Sequence, residues 1–288
     1  MYEKAGDDIS MGEFSDQDQR IRSLLHDTLA STPWATDMFA RASAYQKGFF
    51  SYVAHPDTTP EAANQAYGEL LGGLANMTNA QIMYGHEHVE RLRDSSAVIV
   101  ASNHLGIGQV GCVDNRNRTF DFPGEEIEAF PLGMLPGYVI SRILTGKIQM
   151  DIRKEEIGNL GMIRRKLLGI FVSDSPQGGG TDALIRDINR TRALEQQTFL
   201  LFPEGRTSGW ANNGGPYDLD AFKAGTFVIG CKTGIPILPV CQYFDPHRGL
   251  DLLVLPPMRL GEEDLENVHF IKDATRHAMQ IALLETTA

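Results

Sequence analysis

Ala97-Val98-Ile99-Val100-Ala101-Ser102-Asn103-His104 is the stretch that decides the fold class. Five apolar residues follow one another without a polar break. A strand with one wet face would alternate, so this run suits a strand covered on both faces. Similar short runs recur at residues 168–173, 198–202 and 235–240. Between the second and third runs, residues 181–196 place Leu184, Ile185 and Ile188 at helical spacing. Residues 223–232 form a second helical stretch between the third and fourth. Strands alternating with helices imply crossover connections, hence an α/β fold with a mostly parallel central sheet flanked by helices. Residues 250–255 predict a further strand, and 262–285 a closing helix using Leu265, Val268, Ile271 and Ile281.

Upstream of Ala97 the pattern changes. Residues 1–18 are acidic and polar, carry no secretory signal, and predict a disordered start. From there Ile21, Leu24, Leu25 and Leu29 recur at three- and four-residue spacing. A second helix opens at Thr59-Pro60, with Thr59 as N-cap and Pro60 at the first helical position, and buries Ala63, Tyr67, Leu70, Leu71 and Leu74. A third is predicted over 79–93. The expected division is therefore an acidic start at 1–18, a helical subdomain at 19–93, and an α/β domain at 94–288.

The chain has 288 residues and a net charge of −11. That acidity argues against nucleic acid as a partner and against broad adhesion to anionic lipid. A local basic cluster, Arg153, Lys154, Arg164, Arg165 and Lys166, stands within it. No apolar stretch reaches the ~18 residues a membrane-spanning helix needs. Cys112, Cys231 and Cys241 have neither pairing parity nor metal-ligand spacing and read as buried free thiols. A cytoplasmic location, with at most peripheral membrane contact, is expected.

Two strand ends carry polar chemistry. Ser102-Asn103-His104 follows the first core strand, at the sheet edge where parallel folds bind ligands. A histidine there can take a proton from a hydroxyl, because its pKa lies near neutrality. The second is Phe202-Pro203-Glu204-Gly205-Arg206-Thr207-Ser208, again after a buried run. Glycine permits close approach of the backbone to a ligand, and arginine can fork onto a phosphate or carboxylate. In Ile235-Pro236-Ile237-Leu238-Pro239-Val240, prolines inside an apolar run predict an edge strand or a wall beside a cleft.

Asn103-His104, Phe202-Pro203-Glu204-Gly205, Phe222-Lys223-Ala224-Gly225 and the 235–240 run resemble, in order and spacing, the blocks of the glycerolipid (PlsC-like) acyltransferases, which include glycerol-3-phosphate and lysophosphatidate acyltransferases. The resemblance extends over residues 97–240. The helical N-terminal part and the long segment 209–220 look more like the soluble, plastid-type members. The resemblance implies His104 as general base on an acceptor hydroxyl, which attacks the thioester of acyl-CoA or an acyl carrier protein. It implies no metal or redox cofactor. Asn103, Glu204, Gly205, Arg206, Thr207, Ser208 and Lys223 are the implied substrate-binding positions.

The sequence departs from that family at three places. The position five after His104, where the family has an aspartate, is Gln109. An amide in place of the aspartate of a His–Asp couple can cost about four orders of magnitude in rate. Asp114 is a candidate substitute in the same segment. Arg206-Thr207-Ser208 reverses the usual threonine-arginine order. Asp174 stands where an arginine for the acceptor phosphate is usual. Two outcomes are compatible with these departures. One is an acyltransferase acting on glycerol 3-phosphate, a lysolipid or an amine; the other is a catalytically weakened or inactive protein that binds lipid or acyl carrier. His86-Glu87-His88 is read as surface rather than a metal pair, since residues two apart on a helix face different ways.

Overall fold

The computed structural model describes residues 32–105, 132–144, 147–152, 171–173, 180–193, 196–205, 208–209, 211–212 and 214–287. Its helices are α1 (Pro33–Ala54), α2 (Pro60–Met77), α3 (His86–Glu90), α4 (Leu135–Leu144), α5 (Gly180–Arg192), α6 (Gly225–Thr233) and α7 (Val268–Thr287). Its strands are β1 (Gln81–Tyr84), β2 (Ala97–Ser102), β3 (Lys147–Ile152), β4 (Phe171–Ser173), β5 (Gln197–Leu201), β6 (Ile237–Asp245) and β7 (Gly249–Val254). One sheet holds all seven in the order β1-β7-β6-β2-β5-β3-β4. The strands from β6 to β4 run in one direction; β7 turns back against β6, and β1 runs alongside β7. The sheet is thus mixed and mostly parallel.

The continuous apolar run of β2 is explained by what covers it. Val98 and Val100 face a cluster that includes residues of α1, α2 and α4. Ala97, Ile99 and Ala101 face a second cluster, with Leu184 and Ile188 of α5, Phe227 and Ile229 of α6, and Met279 and Leu283 of α7. A strand alternates its side chains, so burial on both faces demands apolar residues at every position. Each such Val or Ile contributes about 1.5–3 kcal/mol relative to exposure. β2 lies between β5 and β6, and the polar residues that follow it therefore emerge mid-sheet.

Thr59 caps α2 as its sequence predicts. Its Oγ1 accepts from the Ala62 N–H at 3.2 Å, and Pro60 opens the helix. Ala63, Tyr67, Leu70, Leu71 and Leu74 are the buried face. The helix expected over 79–93 is replaced by β1 and the short α3. Asn79 (φ 49°) and Gly85 (φ 81°) both take left-handed backbone, which ends a right-handed helix, and the residues between them pair with β7. Segment 19–93 therefore contributes a strand to the sheet as well as helices. The stripe from Ile21 to Leu29, Cys112, and the basic residues Arg153, Lys154 and Arg164–Lys166 lie outside the described residues.

The prolines of the 235–240 run do not mark an edge, because β6 is interior, between β2 and β7. Pro239 is tolerated where the β6–β7 ladder starts. The Leu255 N–H donates to its carbonyl at 3.0 Å, and the regular pairs begin one residue later, at Val240 and Val254. The missing proline N–H thus falls at the ladder's end rather than within it. Cys231 and Cys241 are buried free thiols, as expected. Of the histidine pair, His86 is 60% exposed, but the His88 side chain is only 15% exposed. His88 packs at the sheet margin beside Gly85 rather than in solvent. Among the described residues no group of three or more His, Cys, Asp or Glu side chains is arranged to hold a metal ion. Nor is any described helix long and apolar enough to cross a membrane.

Candidate active site

β2 and β5 are parallel neighbours, paired from Ala97–Gln197 to Ala101–Leu201. Their C-terminal ends therefore lie side by side, and the two polar motifs that follow them meet although about a hundred residues separate them. The main-chain N–H of His104 is shared between Glu204 Oε1 at 3.3 Å and Ser208 Oγ at 3.2 Å. The Ser208 N–H donates back to the His104 carbonyl at 2.9 Å. Ser208 Oγ in turn donates to Glu204 Oε1 at 2.6 Å. His104 is thus gripped at its own backbone by the loop after β5, while its half-buried ring packs edge-on against Phe202, centroids 4.4 Å apart.

Asn103 supports the same peptide from the other side. It is fully buried. Its Nδ2 donates to the Gln242 carbonyl at 3.2 Å and its Oδ1 accepts from the Gln242 N–H at 2.6 Å. The Asn103 side chain thereby adds one more rung between β2 and β6. Gln242 completes the clamp, its Nε2 donating to the Asn103 carbonyl at 2.7 Å and to Ser102 Oγ at 3.1 Å.

Glu204 is 1% exposed. Besides His104 and Ser208, it accepts from the Asp220 N–H at 2.8 Å. Burial pushes its carboxyl up to about 8, reinforced by nearby Asp220 and opposed by the three donors. Asp220 is also buried, and its carboxylate accepts from the Ala211 and Asn212 N–H groups at 2.8 and 3.0 Å. The loop after β5 is therefore organised around two buried carboxyl groups, one holding the histidine and the other the 211–212 turn.

Asn103, Glu204 and Ser208, positions that the resemblance implies for substrate binding, have their polar groups engaged with main-chain N–H and carbonyl groups. Gly205 and Lys223 lie nearer the surface. Gly205 holds φ 66°, and the Lys223 side chain crosses its backbone, with Nζ 2.8 Å from where a Cβ would stand. The Lys223 N–H donates to the Pro203 carbonyl at 2.8 Å. Arg206, Thr207, Gln109, Asp114 and Asp174 lie outside the described residues.

Three participants were not picked out from sequence. Gln242 follows the apolar run 235–240 and Asp220 ends the 209–220 segment, so neither interrupts a predicted strand. Nor is Gly133 marked in the sequence. It sits in the turn before α4, where a Cβ would stand 3.6 Å from His104 Nε2 and 3.5 Å from Phe202 Cζ. The backbone at Gly133 thus lies close beside the imidazole. The arrangement can present a rigidly mounted imidazole at the C-terminal edge of a parallel sheet, with glycine leaving room beside it.

No family model matches this chain, and no curated protein matches it. Among solved structures, it is similar to the 1-acyl-sn-glycerophosphate (LPA) acyltransferase PlsC from Thermotoga maritima, with 16% identity over 94% of this chain and 98% of that one, and a TM-score of 0.47.

Proposed function

We propose that this chain is an acyltransferase that moves a fatty acyl group from an acyl thioester, acyl-CoA or acyl carrier protein, to a hydroxyl or amine acceptor such as glycerol 3-phosphate or a lysolipid, with His104 as general base. The observation that carries this reading is the backbone clamp on His104. Glu204 and Ser208 from the loop after β5, and Gln242 from β6, fix the peptides on both sides of one half-buried imidazole at the ligand-binding edge of the sheet. Such fixing is what a general base requires, because proton transfer is efficient only from a held geometry.

The chemistry balances without an enzyme nucleophile. The acceptor oxygen attacks the thioester carbonyl carbon while its proton passes to the imidazole. The tetrahedral intermediate then collapses, the carbon–sulfur bond breaks, and the departing thiolate takes the proton back from the imidazolium. Purified protein given an acyl thioester and a panel of hydroxyl and amine acceptors should release free thiol, and His104→Ala should abolish that release. Full turnover by His104→Ala would remove the mechanism.

Gln109 favours a second reading, in which the same scaffold binds lipid or acyl carrier with weakened or absent catalysis, because an amide supplies no charge to stabilise imidazolium. Gln109→Asp separates the two. A sharp gain in thiol release identifies a weakened enzyme, and no turnover from either protein with any acceptor supports the binding role.

A further inference from the structure

At the opposite edge of the sheet, where β2 and β6 begin, Arg91, Arg192 and Arg259 line one concavity of about 300 Å3 together with Asp94, Ser95 and Ser96. β2 has six residues, so roughly 20 Å of strand separates this concavity from His104. The three arginines come from three parts of the chain. Arg91 follows α3, Arg192 ends α5, and Arg259 lies beyond β7. Arg192 Nη1 donates to the Thr233 carbonyl at 2.8 Å, and Arg259 Nη2 to Ser95 Oγ at 3.3 Å. A guanidinium has five donors, so these bonds orient the forks without exhausting them.

What sets the group apart is its convergence on one hollow, since Arg142, Arg186 and Arg276 likewise form no carboxylate ion pair among the described residues. Arg41, Arg93, Arg190 and Arg248 each pair with an aspartate or glutamate. Among the described residues no carboxylate forms an ion pair with Arg91, Arg192 or Arg259. This occurs in a chain with a net charge of −11. Cations are favoured at helix C-termini, which accounts for Arg91 and Arg192 singly but not for Arg259, nor for all three facing one hollow. Three guanidinium charges against Asp94 leave two positive charges. A phosphate monoester carries about −1.5 to −2 at pH 7 and accepts forked N–H donors through three oxygens. Asp94 and the two serines offer acceptors and hydroxyls for the organic part of such a ligand.

We propose that this concavity is a binding site for a phosphate monoester, either a small soluble metabolite or a phosphatidate headgroup, separate from the His104 site. The test is equilibrium titration of the full chain in three arms: glucose 6-phosphate, inorganic phosphate, and phosphatidylcholine vesicles doped with phosphatidate. Saturable binding is expected in at least one arm. Arg91→Gln and Arg259→Gln, both at exposed positions, should each weaken it by about tenfold. Thermal unfolding of these variants should match the wild type, and His104→Ala should bind as the wild type does. Binding in a soluble arm assigns a metabolite, and binding to vesicles alone assigns a headgroup. Absence of saturable binding in every arm, arginine variants that bind like the wild type, or loss of binding in His104→Ala would overturn the proposal. None of these readouts depends on acyl transfer, so the site stands or falls apart from the catalytic reading.

Discussion

The Asn103 side chain and the Gln242 main chain exchange two hydrogen bonds, Nδ2 to carbonyl at 3.2 Å and N–H to Oδ1 at 2.6 Å, both fully buried. An amide has one donor face and one acceptor face, and so matches a peptide group bond for bond. The pair extends the β2–β6 ladder one residue past Ser102 and delivers the chain to His104 in a single orientation.

Asn103→Leu should therefore leave the Gln242 N–H and carbonyl unpaired in the core. Each buried orphan costs about 1–3 kcal/mol, so a loss of roughly 2–6 kcal/mol is expected, read as a lower urea midpoint at unchanged slope. Thiol release should fall with it, because the residue that follows loses its mount.

Glu204 gives the chain a pH dependence of known sign. Its carboxyl ionises near 4.5 unfolded and near 8 folded, so between these values the folded chain keeps a proton that the unfolded chain releases. The stability it contributes is full below about pH 4.5 and is lost as pH rises through about 8. Urea unfolding at intervals from pH 5 to pH 9 should show wild-type stability falling by on the order of a few kcal/mol, and Glu204→Gln should flatten that slope. A slope unchanged in Glu204→Gln would assign the loss to other groups.

Gly133 should be permissive to one methyl group and no more. A Cβ would meet His104 Nε2 at 3.6 Å, ordinary contact, so Gly133→Ala should stay close to wild type. Gly133→Val pushes branched carbons into the space beside the imidazole and should lower thiol release by about tenfold or more, with the unfolding free energy lowered by roughly 1–3 kcal/mol.

Gly249 closes the β6–β7 hairpin with φ 114°, and a Cβ there would stand 1.9 Å from the Thr78 carbonyl oxygen. That carbonyl accepts the Leu250 N–H at 2.8 Å, joining the end of α2 to β7. Gly249→Ala should cost more than about 2 kcal/mol, since neither the backbone angle nor the backbone atom can yield cheaply. Circular dichroism melting should show this, with β1 pairing weakened alongside.

Much of the fold was legible because its signals are local. An unbroken apolar run such as 97–101 has one stable use, a strand covered twice, and Thr59-Pro60 is a helix start by its own chemistry. β3 was not found, because Lys147-Ile148-Gln149-Met150-Asp151-Ile152 alternates polar and apolar residues and does not resemble the buried runs beside it. β1 was not found either. A four-residue strand bounded by Asn79 and Gly85 keeps enough apolar spacing to pass for helix, and only pairing with β7 selects the extended form.

The sequence alone determined that short buried strands alternate with helices and that His104 and the 202–208 segment follow two of those strands. Only the tertiary structure decided what these residues do. Sequence can name a glutamate, a serine and an asparagine near a histidine, but the same residue types serve equally to bind a substrate or to hold a backbone. The difference lies in burial and in which main-chain groups stand within about 3 Å, and these depend on β2, β5 and β6 lying side by side. In this fold Asn103, Glu204, Ser208 and Gln242 bond the main chain at and beside His104, and Gly133 lies next to its ring.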